Sequence, residues 1–167
     1  ENGLKALILK SKHKIQGIDD DYDYAEWWNL TKPSEEELEE QKKKKFDYMP
    51  KFSIVIPVYK TPEKFLKEML DSIVEQTYAN WELCIADGSP AGESVENVLK
   101  KYAEKDARIR YQVLGENRGI SGNTNASLEM AEGDFIVLAD HDDRLTPNAL
   151  FECAKKLNEN ENCDVLY

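Results

Sequence analysis

From Lys51 onward the chain alternates between unbroken apolar runs and stretches whose apolar residues return every three or four positions. Phe52-Ser53-Ile54-Val55-Ile56-Pro57-Val58 is the first run. Rich in β-branched residues and free of charge, it reads as a strand buried on both faces. Thr61-Pro62 opens a helix, because Thr suits the N-cap and Pro the first helical position. Phe65, Leu66, Met69, Leu70, Ile73 and Val74 mark its inner face. Further strands are predicted at 81–86, 109–114 and 135–139, with a fifth at 163–167. Val95, Val98, Leu99, Tyr102 and Ala103 predict a helix after the second strand, and a glycine-punctuated loop with a short helix fills 115–131. Thr146-Pro147 opens a last helix carrying Ala149, Leu150, Cys153, Ala154 and Leu157. Strands alternating with helices imply an α/β fold, a mostly parallel sheet flanked by helices with right-handed crossovers. Ligands of such sheets sit beyond the carboxyl ends of the strands, where strand order reverses.

Residues 1–50 lack this alternation and read as a separate, mainly helical extension ahead of the 51–167 unit. Gly3 to Ile15 mixes Leu, Ile and Lys; its basic part, Lys5 to Lys14, could touch an anionic membrane surface, but its ordinary composition suits an amphipathic helix or linker better. An aromatic, acidic stretch follows from Asp19 to Trp28. Ser34 with Glu37 is a capping-box pair. Glu39 to Lys43 and Glu40 to Lys44 are favourable i,i+4 pairs, so the lysine run from Lys42 to Lys45 reads as a solvated helix face.

Composition narrows the function. Of 167 residues, 41% are apolar, enough for a core. The formal net charge of -11 argues against nucleic acid as a partner, since binding it needs a basic face. A small phosphorylated ligand stays open, because a divalent cation can stand between carboxylates and phosphates. Cys84, Cys153 and Cys163 show no C-x-x-C spacing and read as reduced thiols. Two histidines, His13 and His141, make a His-rich metal site a poor reading. With no apolar run of membrane-spanning length and no signal peptide in the sequence, a cytoplasmic location is expected.

The chemistry gathers at the predicted strand ends. These are Pro57-Val58-Tyr59, Asp87-Gly88-Ser89, Asn117-Arg118-Gly119 and Asp140-His141-Asp142-Asp143. Three carboxylates within four residues are costly to desolvate together. If the chain stays extended, Asp140 and Asp142 project to one side and suit a hard cation such as Mg or Mn. The four residues alone also suit a solvated acidic turn; the apolar strand before them and the other polar strand ends favour a site. Asp87 could accept a hydrogen bond from a base N–H or a ribose hydroxyl, or simply precede a turn at Gly88. Asn117, Arg118 and Gly119 open a short helix whose N–H groups could meet an anion, with Arg118 reaching phosphate. Gly115, Gly119 and Gly122 do not make a G-x-G-x-x-G fingerprint, and there is no G-K-[ST] loop. His141 is expected to line the site or bond a neighbour. Trp27, Trp28 and Trp81 suit core or interdomain packing better than sugar stacking.

Taken in order, Phe52 to Tyr59, Asp87-Gly88-Ser89, Asn117-Arg118-Gly119-Ile120-Ser121 with Asn125, and Asp140-His141-Asp142-Asp143 resemble family 2 glycosyltransferases from about Lys51 to Tyr167. Tyr24 to Trp28 and the Glu/Lys-rich stretch look like the leader of a rhamnosyltransferase-like branch. The resemblance implies a GT-A, Rossmann-like fold and a UDP- or dTDP-linked sugar donor. Pro57, Val58 and Tyr59 would border base and ribose, Asp87 would bind the base, and Asn117, Arg118, Gly119 and Asn125 would line the nucleotide pocket. Asp140, His141 and Asp142 would form the D-x-D turn, with Asp140 and Asp142 on the metal and Asp142 the closer. Thr124 departs from the arginine many members carry there. The implied reaction is inverting transfer to a saccharide or lipid-linked saccharide acceptor of a cell-surface polysaccharide or glycolipid, at the inner face of the plasma membrane. Membrane association would come through regions outside this segment. The catalytic base is expected beyond residue 167, so the chain alone should bind donor weakly or not at all and transfer no sugar. A non-catalytic nucleotide-sugar-binding module is one alternative. Another is a nucleotidyltransferase-like domain, although Val58-Tyr59-Lys60-Thr61 lacks the glycines of its phosphate loop. A receiver-like domain would carry its acidic cluster after the first strand rather than the fourth.

Overall fold

A computed structural model of the chain describes residues 24–160 and 162–166. The membrane-surface reading of Lys5 to Lys14 lies outside them. The chain forms two compact units, Glu1–Leu38 and Glu39–Tyr167. In the first, helix α1 (Tyr24–Thr31) carries Trp27 and Trp28 with ring centroids 6.4 Å apart. Helix α2 (Glu35–Lys43) starts on the expected capping box: Glu37 N–H donates to Ser34 Oγ at 3.2 Å, and Ser34 N–H to Glu37 Oε2 at 2.7 Å. The lysine run is solvated as expected, and Lys42 pairs with Glu39 at i,i+3.

The second unit is a four-stranded parallel sheet in the order β3-β2-β1-β4. Its strands are β1 (Phe52–Val58), β2 (Trp81–Asp87), β3 (Ile109–Val113) and β4 (Phe135–Leu138). Helices α3 (Glu63–Val74), α4 (Glu96–Ala103), α5 (Gly119–Leu128) and α6 (Ala149–Glu159) complete it. β1 and β2 are central and buried on both faces, which is why they read as near-continuous apolar runs.

The two faces differ in chemistry. Phe52, Ile54, Ile56 and Val58 of β1, with Trp81, Leu83 and Ile85 of β2, share one core with Leu66, Met69 and Leu70 of α3, Val98 and Leu99 of α4, and Leu150 and Leu157 of α6. Each such side chain contributes about 1.5–3 kcal/mol. The alternate residues, Ser53, Glu82, Cys84, Ala86 and Gln112, are small or polar. Helix α5 lies on that face, with Ser127 Oγ donating to Ile56 O at 3.0 Å and Gln112 Nε2 to Ala126 O at 2.6 Å.

Below α5 is an ion cluster. Glu82 accepts from Ser53 Oγ, Lys51 Nζ and Arg110 Nη2 at 2.6, 2.6 and 2.7 Å, and from the Glu132 N–H at 2.5 Å. Burial pushes its carboxyl up, but the hydrogen bonds from Lys51, Ser53 and Glu132 with the Arg110 charge outweigh that and hold it at about 2. Arg110 also donates to Met130 O, and Gly133 N–H to Ser53 Oγ at 2.8 Å, so the α5–β4 loop is fastened to the sheet.

Two expectations change. No strand forms at residues 163–166; no sheet neighbour pairs with them, and a strand exists only through its partner's hydrogen bonds. Phe65 and Val74, read as inner-face residues of α3, are exposed, since the buried stripe takes Leu66, Met69, Leu70 and Ile73. No helix of the described residues is long and apolar enough to cross a membrane.

Candidate functional site

Strand order reverses between β1 and β4, the switch point where a ligand cleft is expected. Their pairing stops at Val55↔Leu138, three residues before β1 ends, so the two chains part there. Val55, Pro57, Leu138, Ala139, Asp140 and Asp143, with Ile120 and Thr124 of α5, line an open cleft of about 280 Å³. That is at the small end for a ligand site. A larger cavity of about 560 Å³ opens near Phe135, Tyr48 and Asn158, at the amino end of β4. It lies away from the strand ends where this fold binds ligands.

The acidic turn is not extended. His141 and Asp142 form a turn with Asp143 N–H 3.3 Å from Asp140 O. The alternation that would have aligned Asp140 with Asp142 is therefore lost, and Asp143 joins Asp140 on the cleft wall. Asp142 is 59% exposed and sits 3.8 Å from His141 Nδ1. That nitrogen is buried without a hydrogen-bond partner among the described residues, and His141 does not line the cleft. Each end of the turn is tied down. Ala139 N–H reaches Val55 O, and Gln76, buried just after α3, donates to Thr146 O at 2.7 Å and accepts from Leu150 N–H at 3.0 Å.

Asp87 stands on the same rim as Asp140 but on the other face, since it shares the parity of Leu83 and Ile85. It is 0% exposed, accepting from Ser89 N–H at 2.9 Å, Ser94 Oγ at 2.6 Å and Val95 N–H at 3.1 Å. Here its carboxylate shapes the loop into α4 rather than facing a base.

Tyr59 is exposed at the end of β1, while Val58 is buried in the core. Lys60 holds a positive φ of 50°, and its N–H donates to Ser89 Oγ at 2.8 Å. At the start of α5 the expected anion-binding N–H groups are already used: Arg118 N–H donates to Asn123 Oδ1 at 3.0 Å, and Gly119 N–H to Asn117 Oδ1 at 2.9 Å. Arg118 is exposed and pairs with Glu116 at 3.1 Å. Asn125 is exposed. Trp81 is core, with the Arg108 guanidinium 3.7 Å from its ring centroid.

Carboxylates with no hydrogen bond or ion pair among the described residues, as at Asp140 and Asp143, are suitable oxygen donors for a hard cation. Among those residues no group of three or more His, Cys, Asp or Glu converges on one point.

Asn123, Ser127 and Gln76 hold the elements around the cleft without any mark in the sequence, and Asp143 enters there only as the third carboxylate of the acidic turn. For Asp143 the adjacency to Asp142 was the available signal.

The family model described as "Glycosyl transferase family 2" matches residues 53–167. An O-antigen biosynthesis protein of Myxococcus xanthus is 30% identical over 132 residues, 79% of this chain and 10% of its own length. A solved structure of S. aureus TarS 1-349 with UDP-GlcNAc superposes with TM-score 0.60 at 28% identity, covering 66% of this chain and 32% of that one. A mannosyltransferase from Pyrobaculum calidifontis, in complex with GDP-Man and Mn2+, matches 94% of this chain and 44% of that one with TM-score 0.57 at 22% identity, a likeness of fold. The chain spans 10% to 42% of the lengths of eight curated relatives it matches.

Proposed function

The chain belongs to glycosyl transferase family 2, and on that premise we propose that it is the donor-binding half of an inverting glycosyltransferase of a rhamnosyltransferase-like branch. Residues 51–167 take a UDP- or dTDP-linked sugar with Mg or Mn, and residues 1–50 form an extension to this unit. The transfer goes to a saccharide or lipid-linked saccharide of a cell-surface polysaccharide or glycolipid, at the cytoplasmic side of the membrane. The observation that carries the reading is the meeting of Pro57, from the end of β1, and Asp140, from the end of β4, on one cleft at the switch point.

Pro57 and Tyr59 border the base and ribose. Asp87 acts on that border through the loop it holds. Asp140 would hold the cation, its pair completed by Asp142, as the resemblance implies, or by Asp143, which shares the cleft wall. Bound there, the cation offsets charge on the departing nucleoside diphosphate. The chain's own share of the reaction is to bind and orient the donor and keep carboxylates close to its diphosphate. Deprotonation of the acceptor falls to a base outside this segment.

Protein-observed NMR titration with UDP, dTDP and GDP, with and without Mg, tests this and reads weak affinities. Amides of 139–143 and 118–124 should shift together, more with metal. Mn should broaden the acidic turn first. Asp140→Ala and Asp142→Ala should remove the metal-dependent part while the rest of the spectrum stays folded. Asp143→Ala, run beside them, says which neighbour completes the pair. A metal response unchanged in all three variants would overturn the assignment.

A further inference from the structure

Helix α5 forms one wall of the cleft, yet it has almost no apolar face with which to dock. Its buried residues are Asn123, Ala126 and Ser127. It is held by polar pins instead, and one of them is unlike the others. Asn123 is 2% exposed and uses both ends of its amide: Oδ1 accepts the Arg118 N–H at 3.0 Å, and Nδ2 donates to Asn117 Oδ1 at 3.1 Å. Asn117 in turn takes the Gly119 N–H. One buried amide thus closes the turn that starts the helix. The same amide lies against the rim of β2. A Cβ built on Gly88 would stand 2.6 Å from Asn123 Nδ2 and 2.9 Å from Oδ1, closer than real carbons approach, and the three nearest atoms it meets are all Asn123's. Ile120 and Thr124, which face the cleft, lie three residues before and one residue after it.

We infer that Asn123 is a positioning residue for the nucleotide cleft: packed on Gly88, it sets the 117–119 turn against the β2 rim and thereby fixes where Ile120 and Thr124 stand. This rests on the proposed donor site. Among the described residues no other α5 side chain hydrogen-bonds the 117–119 turn; Ser127 pins the helix one turn lower, to Ile56 O. Isosteric Asn123→Asp keeps the acceptor for Arg118 N–H and loses the donor to Asn117, so it isolates half of the device. Gly88→Ala pushes on the same amide from the other side.

The test uses the 167-residue chain, NMR titration with UDP and Mg, and thermal melts of the parent, Asn123→Ala, Asn123→Asp, Gly88→Ala and the Gly88→Ala/Asn123→Ala double variant. Asn123→Ala should bind UDP about tenfold more weakly, with Asn123→Asp in between. Gly88→Ala should both melt earlier and bind weakly. In the double variant the clash is gone, so the melting temperature should rise from that of Gly88→Ala to that of Asn123→Ala while binding does not improve. A merely structural asparagine would move melting and binding together. Asn123→Ala binding UDP as the parent does, or a double variant that regains parental affinity, overturns the inference alone. A parent that responds to none of UDP, dTDP and GDP overturns the donor site and this inference with it.

Discussion

Glu82→Gln is the most direct probe of the charged cluster that holds the α5–β4 loop to the sheet. The substitution keeps shape and removes charge. Lys51 and Arg110, at 2.6 and 2.7 Å, then face a neutral amide, and the Glu132 N–H loses a carboxylate acceptor. A side chain 5% exposed whose folded value is about 2, against an ordinary 4.5, stabilises the fold near neutrality by about 3 kcal/mol. The sign follows from the depressed value. The contribution is complete above the ordinary carboxyl range and is lost as pH falls from there toward 2, because the unfolded chain takes up the proton first. Urea unfolding of parent and variant across that window is the assay. Near neutrality the midpoints should differ by about 1.5 M, taking about 2 kcal/mol per molar for a domain of this size. At about pH 2 the difference should shrink to a fraction of that, since Glu82 is then about half protonated in the folded parent and fully protonated in the unfolded chain. A gap of constant size from neutrality to acid would show that the charge of Glu82 is not what stabilises the cluster, and the reasoning would fail.

Gly133→Ala should cost about 2 kcal/mol in a thermal melt, because its Cβ would stand 2.5 Å from Lys51 O and 2.9 Å from Ser53 N, backbone atoms with little freedom to move. Gln76→Ala leaves the Leu150 N–H and one acceptor site of Thr146 O without their partner, a loss of about 2 kcal/mol. Limited proteolysis should then cut first within 144–149. Burial pushes the Tyr78 and Tyr102 hydroxyls up to about 12, so ultraviolet titration should find them ionising after the other tyrosines. Stability should fall as pH rises from 10 toward 12, the window in which the unfolded chain gives up those protons first. Tyr78→Phe should remove one late step.

β1 and β2 were legible because a strand buried on both faces cannot hide its apolar character. The α5 region was harder, since the helix docks through Asn123, packed against Gly88 at the β2 rim, and Ser127, bonded to Ile56 O of β1, and neither contact leaves an apolar pattern in the sequence. Glu82 shows the same limit: its partners Lys51, Ser53, Arg110 and Glu132 are brought together only by the parallel register and the loop after α5. The face taken by Asp87 was available in principle, because Leu83 and Ile85 set the parity of β2 and Asp87 continues it into the core side. The acidic cluster was found where it stands, at the end of β4. Its internal geometry was misjudged because a turn at His141-Asp142 breaks the two-residue alternation. Thr61-Pro62 and Thr146-Pro147 marked real helix starts, although the helices begin at Glu63 and Ala149.

β4 has consequences for handling the molecule at high concentration. Among the described residues it pairs only with β1, so one row of its backbone N–H and C=O groups faces outward, beside Ile136 and a Leu138 that is 72% exposed. Such a border is a template for another chain's strand, and four residues is too short to make the attachment strong. Dilute solutions of this segment should therefore be monodisperse, and concentrated ones should thicken into weak, reversible clusters that a single lysine at Leu138 would disperse.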